Sequence, residues 1–140
     1  MSMTDTCWLT VTVRDDQVEL FRTYAGQESY SEGGIHNNQL TYEEANLGMW
    51  HELNEAAARG CEFYGYHTPG AEYGSTEFFS SSEVLVEIPT GFDGAGYVVT
   101  GVTPEQRLQD LVRLEQVIKM RQLLIRRLHD PLFDLVEGIT

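Results

Sequence analysis

Basic side chains are scarce in this chain: nine lysines and arginines face twenty-two acids, for a formal net charge of −13. Such a surface repels phosphate backbones and anionic lipids, which excludes direct nucleic-acid or membrane contact for the acidic part of the molecule. Cysteine is scarcer still, with only Cys7 and Cys61, far apart and both on segments that read as strands. Neither belongs to a Cys-x-x-Cys pair. A disulfide scaffold is therefore not expected, and two buried reduced thiols in a reducing compartment fit better than a bridge. Long apolar runs are missing too: no stretch approaches the roughly 18 residues of a membrane span, and the opening MSMTDTCWLT lacks the charged and apolar regions of a signal peptide. A cytoplasmic protein is the expectation.

Catalytic motifs are equally missing. Gly91, Gly94 and Gly96 have neither the spacing nor the following helix of a phosphate-binding loop, and no Gly-x-Ser-x-Gly elbow presents a serine. The four histidines, His36, His51, His67 and His129, share no ligand spacing. His51, Cys61 and His67 meet only if the fold sets the helix of His51 beside the strand that follows it. His67 with Glu72 and Glu77 supplies the parts of an acid-base site on a loop, although the same residues are ordinary in any polar loop. No catalytic residue, metal ligand or cofactor is assigned, and the reading leans away from an enzyme.

What the sequence does contain is charge sorted along its length. Residues 1–103 carry three basic side chains, Arg14, Arg22 and Arg59, against sixteen acids, whereas residues 104–128 carry six bases against Glu105, Asp110 and Glu115. Hydrophobic content of 41% is that of a globular chain, and 140 residues suit a single domain. That domain divides into an acidic, sheet-rich body over 1–102, a long amphipathic helix over 103–128 and a short tail over 129–140.

Within the body, Cys7, Leu9, Val11 and Val13 alternate with Trp8, Thr10 and Thr12, the period of a half-buried strand. A turn at Arg14 to Gln17 and a second strand over Val18 to Tyr24 are expected to follow, then an aperiodic loop over Ala25 to Asn38. Thr41 with Glu44 reads as a capping box that starts a helix with Tyr42, Ala45, Met49, Leu53 and Ala57 as its buried stripe and Gly60 as its stop. Further strands are expected over Cys61 to Tyr66, around Glu77 to Phe79, over Glu83 to Pro89 and over Gly96 to Val102. The fold class is thus α+β: an antiparallel sheet of about five strands, one helix inserted after the second strand, and a long C-terminal helix.

Thr103-Pro104-Glu105-Gln106 announces that last helix with an N-cap, a first-turn proline, an acid at the positive dipole end and a capping-box glutamine. At about 1.5 Å per residue it spans roughly 37 Å. Leu111, Leu114, Ile118, Ile125 and Leu128 form a three-four seam interrupted by Arg121, with Val117, Met120 and Leu124 beside it. A helix apolar on more than one side is buried on more than one side, which points to a homodimer or higher homo-oligomer, or else to the tail Leu132, Phe133, Leu135 and Val136 folding back over it. In a dimer seam Arg121 requires a carboxylate such as Asp110 or Glu115 of an antiparallel copy, or a path to the rim.

Two functional expectations follow. The first is a small acidic, non-enzymatic binding or inhibitor protein, of the kind that viruses and mobile elements encode as antagonists or that serve as immunity proteins. It would engage a basic protein target through Glu43, Glu44, Glu52 and Glu55. The second is an oligomeric protein that sequesters a nucleotide or small molecule, using Tyr64, Tyr66, His67 and Tyr73 as stacking and polar groups and Arg121 as a phosphate fork.

Overall fold

The computed structural model describes residues 6–71, 73–90, 97 and 101–130. The chain divides into two units, residues 1–98 and 99–140. At the centre of the first lies β1 (Thr6–Val13), whose Cys7, Leu9, Val11 and Val13 are buried as their alternation requires, leaving Trp8 exposed at 52%. β1 pairs antiparallel with β3 (Gln39–Asn46) on one side and β4 (Phe63–His67) on the other. The short β2 (Tyr30–Glu32) lies beyond β3, and β5 (Thr76–Ser81) and β6 (Val84–Pro89) extend the sheet beyond β4. The result is a six-stranded antiparallel sheet in the order β2-β3-β1-β4-β5-β6.

Two helices cross between strands: α1 (Val18–Ala25) joins β1 to β2, and α2 (Trp50–Ala58) joins β3 to β4. From β1 to β4 the order is therefore the split β-α-β-β-α-β of ferredoxin-like folds, with the β5–β6 hairpin added beyond β4. With the C-terminal α3 (Pro104–His129), the class is α+β as the sequence indicates, with six strands rather than five and three helices rather than two.

The extra helix is Val18–Ala25, expected from its sequence to be a strand. Val18, Phe21 and Ala25 are its buried residues, spaced for one helical face, and Phe21 meets Phe63 edge-on at 5.2 Å. Both places beside β1 are taken by β3 and β4, so a strand here would have no edge to pair with. The helix expected to start at Thr41 starts instead at Trp50. Thr41 and Glu44 belong to β3 and form no capping box. Tyr42, Ala45, Met49, Leu53 and Ala57 are all buried, but by a strand, a turn and a helix in succession. The three-residue step from Tyr42 to Ala45 mimics a helix because it contains a β-bulge: Cys7 faces Ala45 while Leu9 faces Tyr42. The segment Ala25 to Asn38, read as loop, contains β2. The expected strand over Gly96 to Val102 lies mostly outside the described residues, as does the tail from Leu132; Tyr97 makes a bridge to Thr90.

α1 and α2 pack on each other and close one face of the sheet over a core that includes Leu9, Val11, Leu40, Leu53, Phe63 and Phe78. Cys7 and Cys61 are both buried and not joined in a disulfide, and burial pushes the Cys61 thiol up. Polar ties fix the periphery. Arg14 pairs with Asp16 and Glu62, and Arg22 with Glu19 and Glu28. The Glu28 side chain is almost fully buried, and the Arg22 guanidinium holds its carboxyl below the usual carboxylate range. Beside it the buried Tyr42 hydroxyl donates to the Gly26 carbonyl at 2.8 Å, which pins the start of the segment before β2.

In the second unit, α3 begins with the capping box that its sequence announces: Thr103 Oγ1 accepts from the Gln106 amide, and Gln106 Oε1 accepts from the Thr103 amide. Leu124 is buried, Leu114, Ile118, Ile125 and Leu128 are half-buried, and Leu108, Leu111, Val112, Met120 and Leu123 are exposed. Among the described residues no helix is long and apolar enough to cross a membrane.

Because Glu28 has a depressed pKa in the fold, its contribution is fully present above the unfolded carboxylate pKa and disappears as pH falls through the folded value. Glu28→Gln is expected to cost about 2 kcal/mol at neutral pH, since it strands part of the Arg22 guanidinium. The deficit should shrink steadily below the carboxylate range. Urea denaturation across that range checks both statements.

Candidate functional site

The strand register gathers one end of the sheet. Thr6 pairs with Asn46, Leu9 with His67, His67 with Thr76, and Thr76 with Pro89. The start of β1, the ends of β3, β4 and β6 and the start of β5 therefore meet there. The bulge falls at the same end and sets Glu43 and Glu44 together against the single residue Trp8. The Glu43 amide donates to Ser29 Oγ at 3.0 Å, so the extra residue is held in place.

Immediately after β3 the backbone turns left-handed. Leu47, Gly48 and Met49 have φ of 53°, 65° and 54°. Each non-glycine residue in that region costs about 1–2 kcal/mol, and burial of Met49 in the core offsets part of it. Leu47 and Trp50, on either side, are 55% and 59% exposed. Gly48 has a second reason to be glycine: a Cβ there would lie 2.9 Å from Cδ2 and Nε2 of His67, so the imidazole packs directly on the glycine backbone.

His67 is buried at 8% exposure. Its Nδ1 lies 2.9 Å from the carbonyl of Thr68, a contact that needs the ring hydrogen on Nδ1 and leaves Nε2 as an acceptor in the neutral imidazole. The Tyr73 ring meets it edge-on at 5.5 Å. These groups line a cleft of about 560 Å³ together with Ser75, Thr76, Glu87, Pro89 and Thr90. The Ser75 and Thr90 hydroxyls are 2.5 Å apart, and the Thr90 amide donates to the Ser75 carbonyl. Glu87 keeps an exposed side chain, yet partial desolvation pushes its carboxyl above the usual range, opposed by the attraction of His67. Among the described residues that line the cleft there is no lysine or arginine.

Of the alternative ligand residues, His67 and Tyr73 come together in this cleft. Tyr64 and Tyr66 do not, because they alternate with His67 on β4 and face the other side of the sheet. Arg121 lies half-buried on α3, in the other unit. Glu77 is tied to the Tyr97 hydroxyl at 2.8 Å, and Glu72 is outside the described residues. Among the described residues no group of three or more histidine, cysteine or acidic side chains could hold a metal, and His51 is exposed while Cys61 is buried. Glu43 and Glu44 sit on the bulge, and Glu52 and Glu55 on α2, so the four acids flank the Leu47–Met49 turn in the chain rather than sharing one helix face.

Sequence reasoning does not single out Glu87, Gly48 or Thr90. A lone carboxylate within Val84–Pro89 was the available signal for Glu87, weak because both faces of that strand carry apolar residues. No family model matches this chain, and no curated protein or solved structure is significantly similar to it.

Gly48→Ala is expected to destabilise by about 2 kcal/mol, combining the positive φ with collision against the imidazole. Gly60, with φ +87 and nothing within 4 Å of an added Cβ, serves as control, and Gly60→Ala should cost about 1 kcal/mol and leave the His67 ring signals unmoved. Urea midpoints and imidazole chemical shifts measure the difference.

Proposed function

We propose that this chain is a small acidic, non-enzymatic binding protein of the inhibitor or immunity class, which engages a basic protein surface through the end of the sheet that carries Trp8, Leu47 and Trp50. One observation carries the reading: Trp8, Leu47 and Trp50 are large exposed apolar side chains at that end of the sheet, where the bulge sets Glu43 and Glu44 opposite Trp8. Exposed aromatics within a polar rim are the usual anatomy of an interface anchor. Electrostatics agree. Arg14 and Arg22 are committed to ion pairs and Arg59 lies over the Tyr24 ring, whereas Glu43, Glu44, Glu52 and Glu55 have no ion pair among the described residues. The outward field is therefore that of the acids, which steers a basic partner and repels nucleic acid and membranes. Two buried cysteines outside any disulfide suit the reducing cytoplasm.

The alternative, sequestration of a nucleotide, draws support from the His67–Tyr73 contact. It is the weaker reading, since a phosphate in this cleft would meet Glu87 and no guanidinium.

Self-association through α3 completes the proposal. Leu108, Leu111, Val112, Met120 and Leu123 leave apolar surface exposed along much of a 26-residue helix, and a second copy of that helix is the simplest cover.

Two measurements test these statements. With a partner captured from the native host and purified, Glu43→Lys, Glu44→Lys, Glu52→Lys and Glu55→Lys together should slow association about tenfold at low salt, and Trp50→Ala should speed dissociation by a similar factor. Association indifferent to both salt and charge reversal refutes the acidic-surface reading. For the helix, light scattering of Val112→Glu with Leu123→Glu, both at exposed positions, should show a lower mass than the parent chain; an unchanged mass with unchanged stability removes the dimer.

A further inference from the structure

We propose that the cleft between the Leu47–Trp50 turn and the ends of β4, β5 and β6 receives the guanidinium group of an arginine side chain, presented by the basic partner. The inference rests on the reading that this chain binds a basic protein, and it says where the first contact is made and with what chemistry.

The lining selects the occupant. It holds one carboxylate, Glu87, the His67 imidazole, the hydroxyls of Ser75, Thr76 and Thr90, and the rings of Trp50 and Tyr73. An anion there would face Glu87 with no lysine or arginine among the described lining residues to balance it, inside a unit whose charge is already strongly negative. A neutral apolar group would cover those acceptors without replacing their water, which costs more than its own burial returns in so open a site. A cation satisfies them.

Between the two cationic side chains, shape and hydration decide. An ammonium is compact and strongly hydrated and gains little on leaving water for a shallow cleft. A guanidinium is flat, more weakly hydrated, stacks on an indole or phenol face, and directs five donors around its rim. Trp50, more than half exposed, offers an uncovered ring, and the Glu87 carboxylate and the hydroxyls of Ser75, Thr76 and Thr90 belong to the same lining and supply oxygen acceptors for such a planar donor. The left-handed turn has a consequence here. It spends conformational energy to hold Leu47 and Trp50 out of the core at the mouth of the cleft, and Gly48 lets the imidazole form its back wall.

The test uses the whole chain and three small probes: N-acetyl-arginine amide, N-acetyl-lysine amide and N-acetyl-glutamine amide, titrated by nuclear magnetic resonance. The arginine compound should give saturable, millimolar shifts centred on Gly48, the Trp50 indole, Tyr73 and Thr76. The lysine compound should bind at least threefold more weakly, and the glutamine compound should not saturate. Glu87→Gln should weaken arginine binding about tenfold, and Trp50→Ala should abolish it. Both side chains are exposed, so neither variant threatens the fold. Equal responses to arginine and lysine, shifts that survive both substitutions, or shifts centred elsewhere overturn the assignment. If no probe binds while the purified partner still associates in a salt-dependent way, the cleft assignment falls and the acidic-surface reading stands; loss of the salt dependence as well removes both.

Discussion

Strand β1 is hydrogen-bonded on both sides, and its row Cys7, Leu9, Val11 and Val13 is buried beneath two helices that cover only one face of the sheet. A slip of one residue would turn that row to the opposite face and bring Trp8, Thr10 and Thr12 into the core. Register at β1 is therefore fixed strongly, and it fixes the rest. Cys7 opposite Ala45 and Leu9 opposite Tyr42 leave one residue too many on β3, and the bulge absorbs it at Glu43 and Glu44. Leu9 opposite His67 brings the end of β4 to the place where β3 gives way to the turn. The imidazole against Gly48 and the exposed pair Leu47 and Trp50 are consequences of a pairing settled in the core.

The same arrangement sorts the charges. Two of the three arginines of the first unit, Arg14 and Arg22, are paired with carboxylates, so their positive field is largely cancelled at short range, while Arg59 lies over the Tyr24 ring and keeps its charge. What remains to act at a distance is negative and borne by exposed carboxylates, including those at the bulge. Surface ion pairs of this type add little stability singly. Each pairing neutralises one cation and one carboxylate, so what an approaching molecule senses is the remaining excess of acids.

Much of this was legible in the sequence, and the failures have specific causes. The alternation of β1, the strands around Phe63, Phe78 and Ile88, and the capping box at Thr103 were read correctly, since each is decided by local chemistry or by a period that only one structure satisfies. Val18 to Ala25 satisfied both periods. Val18, Leu20, Arg22 and Tyr24 alternate, while Val18, Phe21 and Ala25 share a helical face, and only the occupancy of both edges of β1 chose between them. At Thr41 to Ala57 the buried residues were identified correctly and their structure was not, because a bulge inserts the extra residue that a helical spacing also contains. For the ligand site, His67 and Tyr73 were close enough in sequence to be considered together, but alternation on β4 sends Tyr64 and Tyr66 to the other face.

By itself the amino-acid sequence determined composition, charge asymmetry, fold class, the central strand and the final helix, all of which follow from side-chain chemistry summed over short windows. Tertiary structure alone decided that Glu87 from β6, His67 from β4, Tyr73 from the loop after it and Trp50 from α2 line one cleft. Those residues are separated by up to 37 positions in the chain, and no local periodicity encodes their meeting. It arises from strand register, which is a property of pairs of segments, and from a left-handed turn whose cost is met by core burial that the turn residues do not themselves specify.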